Sequence, residues 1–283
     1  MHATPEAAVE EEIDPMNSSE PPITDLRPSL AGGVLTLTLD GPETRNAISP
    51  PVYREIQARV IDAEHDPAVR AIVLTGAGGF FCSGGNVRGI QKSRQGTIAQ
   101  ASQNTDALNA MILAMRACPK PLVAAVEGAA AGAGLALALA CDMIIAAEGA
   151  KFVAAYVKIG LSPDAGLTHF LREGLPRQLA SEMCFLGRPV PAERLHAAGV
   201  VNAVCAKGEA TTVAQALAAD LAGGPVGAIG RIKAQIDEAP KNDLAAQLAI
   251  EAKAINEARF GDEAAEGLAA FVEKRAPDFA RKT

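Results

Sequence analysis

The order of elements along this chain predicts an α/β protein with a largely parallel sheet and a helical C-terminal region. Three observations carry that expectation. Residues 33–40 (GVLTLTLD) and 69–76 (VRAIVLTG) read as strands, and residues 49–63 between them carry apolar residues at helical spacing, the order of a βαβ unit. The rhythm then repeats through a helix over 105–117, a strand over 121–126, a helix over 135–140 and a strand over 143–147. After Gly223-Gly224-Pro225 the strand signals stop, and 226–239, 244–260 and 262–274 are rich in helix formers.

Each element has local punctuation. Gly41-Pro42 closes the first strand, while Ser49 is placed to cap the helix that follows, with Pro50 in its first turn. The apolar stretch 122–147 is long enough to suggest a membrane span. Glu127 and Asp142 interrupt it and most of it is Ala and Gly, so it reads as buried strand, turn and helix, with no membrane partner expected. Residues 1–25 are expected to be a flexible extension, since the first 20 are acidic with no basic and apolar signal-peptide pattern. The core is assigned to 26–221 and the helical region to 222–283.

Composition narrows the function. Hydrophobic residues make up 49% of the 283 positions but aromatics only 4%, without Trp, which predicts close packing of small side chains. A formal charge of −7, with no basic cluster interleaved with aromatics, argues against a nucleic-acid partner. Five cysteines with no C-x-x-C pair fit neither a disulfide framework nor a zinc site, so a reducing cytoplasm is expected and no metal.

Two glycine-rich turns stand out, Cys82 to Asn86 and Gly128 to Gly134. Turns of this kind expose backbone N–H groups, and two at strand ends can aim donors at one oxygen; each alone also reads as a tight turn or a close packing point. A dinucleotide fingerprint at Gly132-Ala-Gly134 is disfavoured, because no acidic residue ends a second strand about 20 residues on.

Phe81-Cys-Ser-Gly-Gly-Asn86 and the run from Gly128 to Asp142 resemble the two signature segments of the crotonase (enoyl-CoA hydratase/isomerase) superfamily, in the same order and separation. The likeness extends through Arg45-Asn46-Ala47, Lys151-Phe152, Gly160 to Asp164 and Phe271 to Pro277, and covers roughly residues 26–279. It implies a crotonase-like ββα spiral core that acts on an acyl-CoA thioester, with coenzyme A part of the substrate and no separate cofactor. The N–H groups of Gly85 and Ala133 are implied to bind the thioester oxygen. Arg45, Ala47, Ser83, Gly84, Asn86 and Lys274 are implied on the CoA side, and the C-terminal helices in a homotrimer or dimer of trimers.

The family's hydratases use two glutamates, and the aligned positions here hold Ala136 and Tyr156, kept as pocket residues. The nearest unused carboxylate is Asp164, in a segment similar to that of 1,2-epoxyphenylacetyl-CoA isomerases, where an aspartate at this position is the acid/base. On residues alone Asp164 reads as the N-cap of a helix over 168–173. Asp142 reads as a structural hydrogen-bonding residue, Glu148 as a solvated turn residue, and Glu127 as a loop residue able to approach the site. His169 reads as a packing or surface residue and Cys82 as a small buried one. Isomerisation of an unsaturated or epoxidised acyl-CoA with Asp164 as the single acid/base is the reading favoured. The alternatives are a hydratase or CoA-dependent hydrolase of the same fold, and a noncatalytic acyl-CoA-binding protein.

Overall fold

The computed structural model describes residues 24–279, so nearly all of the segment expected to be flexible lies outside the described residues. Within them Thr24 is already buried and Asp25 opens a strand. The strands are β1 Asp25–Ala31, β2 Val34–Asp40, β3 Ala71–Gly76, β4 Leu122–Val126, β5 Ala129–Ala131, β6 Met143–Ala147, β7 Lys151–Val153, β8 Val190–Pro191 and β9 Ala203–Cys205. The helices in the core region are α1 Pro50–His65, α2 Val87–Ser93, α3 Ile98–Ala117, α4 Ala133–Leu139, α5 Leu167–Gly174, α6 Arg177–Leu186, α7 Ala192–Ala197 and α8 Ala210–Gly223. Three more, α9 Val226–Glu238, α10 Leu244–Arg259 and α11 Asp262–Glu273, form the C-terminal region.

The larger sheet runs β1-β2-β3-β4-β6-β9, and from β2 to β9 every pair is parallel. Its central strands read as apolar runs because both faces are covered: Ile72, Val73, Leu74 and all of Leu122–Val126 are buried. Helix α8 packs on β3, β4 and β6 through Ala210, Ala214, Ala218 and Ala222, a stripe at four-residue spacing whose methyl groups let helix and sheet approach closely. The alanine-rich composition is therefore a packing device.

Strand β1 was not legible in the sequence. It pairs antiparallel with β2 across the two-residue turn Gly32-Gly33, where both residues have positive φ, and its side chains are mostly exposed. As an edge strand it tolerates Pro28 and needs no apolar alternation. Helix α3 begins at Ile98, a full turn and more before the expected start, because Thr97 and Gln100 form a reciprocal capping box. A second sheet, β5-β7-β8, is built from strands of only two or three residues. The stretch 122–147 is β4, β5, α4 and β6, and no helix among the described residues is long and apolar enough to cross a membrane.

The C-terminal helices are tied to the core by ionic contacts. Asp142, at the mouth of β6, accepts the Leu122 N–H at 2.8 Å and pairs with Lys233 of α9 at 3.0 Å and with Arg116 of α3 at 3.5 Å. Lys233 is buried and also donates to the Met115 carbonyl at 3.1 Å. Arg116 in turn reaches Asp237 of α9. Arg70 donates to the carbonyls of Ala222, of Gly224 at 2.8 Å and of Phe279 at 3.1 Å, which holds the end of the described chain against the sheet. Replacing Asp142 by Ala leaves the Lys233 ammonium buried without a carboxylate, so Asp142→Ala is expected to lower stability by about 3–5 kcal/mol, read as a drop in the denaturant midpoint.

Candidate active site

The first turn is held in place by Asn46. This side chain is fully buried, accepts the Gly41 N–H at 2.9 Å through Oδ1, and donates through Nδ2 to the carbonyls of Ala77 at 2.9 Å and Phe80 at 2.5 Å. Arg45 and Asn46 both adopt left-handed backbone, φ 54° and 57°, a conformation costing non-glycine residues about 1–2 kcal/mol that persists only where surrounding bonds enforce it. From this bend the Arg45 carbonyl accepts the Ser83 N–H at 2.9 Å, and the Thr44 carbonyl accepts the Ser83 hydroxyl at 2.9 Å.

Ile48 then pairs with the turn as a single parallel bridge. Its N–H donates to the Gly84 carbonyl at 2.8 Å, and its carbonyl accepts the Asn86 N–H at 3.1 Å. Backbone groups alternate along an extended segment, so the Gly85 N–H, lying between those two bonds, faces away from Ile48. It has no protein acceptor among the described residues. Asn86 turns its side chain to the Gly89 N–H at 3.2 Å and caps α2.

The second turn lies directly against the first. Cys82 and Ala130 form a parallel bridge, with the Ala131 N–H donating to the Cys82 carbonyl at 2.9 Å. Gly84, at φ 97°, leaves no room for a side chain: a Cβ there would lie 2.6 Å from the Ala131 carbonyl oxygen and 3.2 Å from the Ala133 nitrogen. Gly134 answers from the other turn, where a Cβ would meet the Cys82 carbonyl at 2.6 Å. Gly132 takes the positive φ at 53° and Ala133 opens α4 in ordinary helical backbone. The Ala133 N–H, in the first turn of that helix, has no protein acceptor among the described residues.

The acid side follows from the same turn. The virtual Cβ of Gly132 lies 4.0 Å from the Tyr156 ring, and the Tyr156 hydroxyl donates to Asp164 Oδ1 at 2.6 Å. The N-cap expectation for Asp164 is corrected: Gly166 caps α5, and the Asp164 carboxylate is turned to Tyr156 instead. Tyr53 of α1, not singled out in the sequence, is a second phenol in this neighbourhood. Its hydroxyl donates to the Ile48 carbonyl at 3.4 Å, and burial, with the Asp164 carboxylate as the next cause, pushes its pKa up. A single Tyr inside a helical pattern carries no signal for such a role.

Other candidates are sorted by their bonds. The Glu127 carboxylate accepts the Ala210 N–H at 2.9 Å through Oε1, which ties it to the start of α8, and it borders the same cleft as Arg45 and Ser83. Glu148 is exposed, and His169 is exposed and pairs with Glu173 at 3.2 Å. Ala136 is shut inside the core with none of its surface accessible. Lys274 is exposed at the end of α11, and none of the bonds holding the two turns involves it. Arg45 is exposed, with its guanidinium 5.7 Å from the Phe80 ring centre, and Ala47 is half-buried. Arg45 and Ser83 border a cleft of about 740 Å³ that Lys151 and Lys207 also line, together with Glu127 and Glu148.

A family model described as Enoyl-CoA hydratase/isomerase matches residues 29–282. Among curated proteins, the 1,2-epoxyphenylacetyl-CoA isomerase of Escherichia coli (strain K12) is 36% identical over 251 residues, covering 88% of this chain and 96% of its own. Enoyl-CoA hydratase EchA19 of Mycobacterium tuberculosis is 33% identical over 252 residues, covering 88% and 93%. Among solved structures, an enoyl-CoA hydratase from Polaromonas sp. JS666 superposes with a TM-score of 0.88 at 42% identity, covering 89% of this chain and 98% of that one. The fold is that of the crotonases. The chain belongs to the enoyl-CoA hydratase/isomerase family, with relatives that include both an isomerase and hydratases.

Two outcomes test this geometry. Gly84→Ala places a methyl group against the Ala131 carbonyl in left-handed backbone, so a stability loss of more than about 1 kcal/mol is expected from thermal melts. Cys82 is fully buried and burial pushes its thiol up to about 12. Iodoacetamide at pH 8 is therefore expected to leave Cys82 unlabelled in the folded protein and to label it after denaturation, read by peptide mass spectrometry.

Proposed function

We propose that this protein isomerises an unsaturated or epoxidised acyl-CoA through an enolate, with the Gly85 and Ala133 N–H groups on the thioester oxygen and Asp164 as the only acid/base. The observation that carries the reading is the count of carboxylates beside the paired turns. Asp164 bonds to Tyr156, whose ring lies against the second turn, whereas Asp142 is spent on structural bonds and Glu127 gives Oε1 to the Ala210 N–H of α8. The positions matched to the hydratase glutamates hold Ala136, fully buried, and Tyr156, whose pKa burial and then the Asp164 carboxylate push up. Neither offers a base.

One carboxylate suffices for isomerisation, because it takes a proton from one carbon and returns it to another. As the proton leaves, the electron pair moves onto the thioester oxygen, where two preorganised N–H donors meet the developing charge; removing one such donor typically costs about 100- to 1,000-fold in rate. Water addition needs a second group to activate or deliver, which supports isomerase over hydratase. Arg45, Lys151 and Lys207 along the neighbouring cleft supply positive charge for the CoA phosphates. A homotrimer or dimer of trimers, with the C-terminal helices at its interfaces, fits the exposed Leu248, Ile255, Leu268 and Phe271 of α10 and α11.

Turnover of an enoyl-CoA panel in doubly labelled water (deuterium and oxygen-18) tests the reaction. The expected product carries no oxygen label and at most a minor share of deuterium, confined to carbon; oxygen-18 in the product would establish water addition instead. Asp164→Asn is expected to lower kcat by about 100- to 10,000-fold.

A further inference from the structure

The two oxygens of the Asp164 carboxylate are not equivalent. Oδ1 accepts the Tyr156 hydroxyl at 2.6 Å, while Oδ2 has no hydrogen-bond partner among the described residues. Tyr156 donates to the carboxylate, and burial first and the carboxylate second keep its hydroxyl protonated far above the ordinary range. The other nearby phenol, Tyr53, gives its hydrogen to the Ile48 carbonyl.

The backbone beneath the carboxylate is also fixed. Asp164 to Leu167 form a tight turn closed by the Leu167 N–H donating to the Asp164 carbonyl at 3.0 Å. Both central residues have positive φ, 53° at Ala165 and 74° at Gly166, the pattern of a type I′ turn. Ala165 is an unfavourable residue for that conformation, and it is 2% exposed, so core packing around its methyl group enforces the bend. The acid is therefore held from below by a strained turn and from the side by a phenol.

We propose that Tyr156 is a positioning residue whose hydroxyl occupies Asp164 Oδ1 and reserves Oδ2 as the single atom that moves the proton between two substrate carbons. The inference rests on the reading of Asp164 as acid/base. In the forward step the substrate C–H bond breaks, its electron pair passes to the thioester oxygen as the enolate, and the proton joins Oδ2. In the return step the O–H bond breaks, the proton joins the second carbon and the enolate collapses to the thioester. Tyr156 keeps its own hydrogen throughout, and the carboxylate ends as it began. With Oδ1 held by Tyr156, Oδ2 stays on the substrate face between the two steps, so return of the proton to the substrate competes with exchange and most of the hydrogen removed is returned.

The experiment follows a 3-enoyl-CoA deuterated at its α carbon through the wild type, Tyr156→Phe, Asp164→Asn and the double variant. Tyr156→Phe is expected to leave KM unchanged, to lower kcat about 10- to 100-fold through misplacement of the acid, and to cut the fraction of substrate deuterium retained in the product. In the Asp164→Asn background the same change is expected to cost nothing further. Unchanged kcat and retention in Tyr156→Phe, with Asp164→Asn crippled, would overturn the role of Tyr156 alone; full activity of Asp164→Asn would overturn the reading beneath it. A second measurement needs no turnover and no folded phenylalanine variant. The chain holds two tyrosines, so 3-fluorotyrosine labelling yields two fluorine resonances. The Tyr156 line is expected to move in Asp164→Ala, and a line that stays in place would remove the hydrogen bond and the proposal with it.

Discussion

The structure turns on the contact between two backbone turns that have no side chains between them. Gly84 lies over the Ala131 carbonyl and the Ala133 nitrogen, while Gly134 lies against Cys82, so each turn supplies the glycine that admits the other. The bridge of Cys82 with Ala130 locks that approach into hydrogen bonds, and the bridge of Ile48 with Gly85 holds the first turn from its other side. What remains is a pair of N–H groups on the adjoining turns, at Gly85 and Ala133, with no protein acceptor among the described residues. Such groups are costly to leave dry and unpaired, and in the proposed reaction a thioester oxygen that gathers charge is their complement.

The surrounding molecule holds this arrangement under strain. Non-glycine residues in left-handed backbone occur at Arg45 and Asn46, beneath the first turn, and at Ala165, beneath the acid; the fourth, Lys274, merely ends α11. Each strained site near the pocket has its own restraint: four bonds from the buried Asn46 amide, and the buried methyl group of Ala165. Strain held by packing and polar anchors is the physical meaning of preorganisation here.

Carboxylates are divided by the same logic. Asp142 and Glu127 sit in the apolar stretch 122–147 and both take structural bonds, Asp142 through both oxygens to Leu122, Lys233 and Arg116, and Glu127 through Oε1 to the first turn of α8. Asp164 bonds through one oxygen to a phenol that lies against the second turn, and its other oxygen is open among the described residues. The helices α9 to α11 are joined to this core through ionic contacts that converge on Asp142 and through Arg70, so the region that lacks strands is anchored on the sheet that carries the site.

The sequence by itself determined whatever depends on neighbouring residues. Apolar runs marked β2, β3, β4 and β6, helix formers marked α9 to α11, and the glycines marked both turns, because propensity and turn conformation are local properties. Only the tertiary structure decided what depends on residues far apart in the chain. β1 and the tiny strands of the second sheet exist because a partner edge pairs with them. Asn46, read only as part of a motif, became the anchor of a turn more than thirty residues away. Asp164, which locally reads as a helix cap, was given to Tyr156 because two positive-φ residues turn the backbone before α5 begins, leaving Gly166 to cap the helix. A side chain's partner is chosen by the path of the backbone, and that path is fixed by contacts no local window contains.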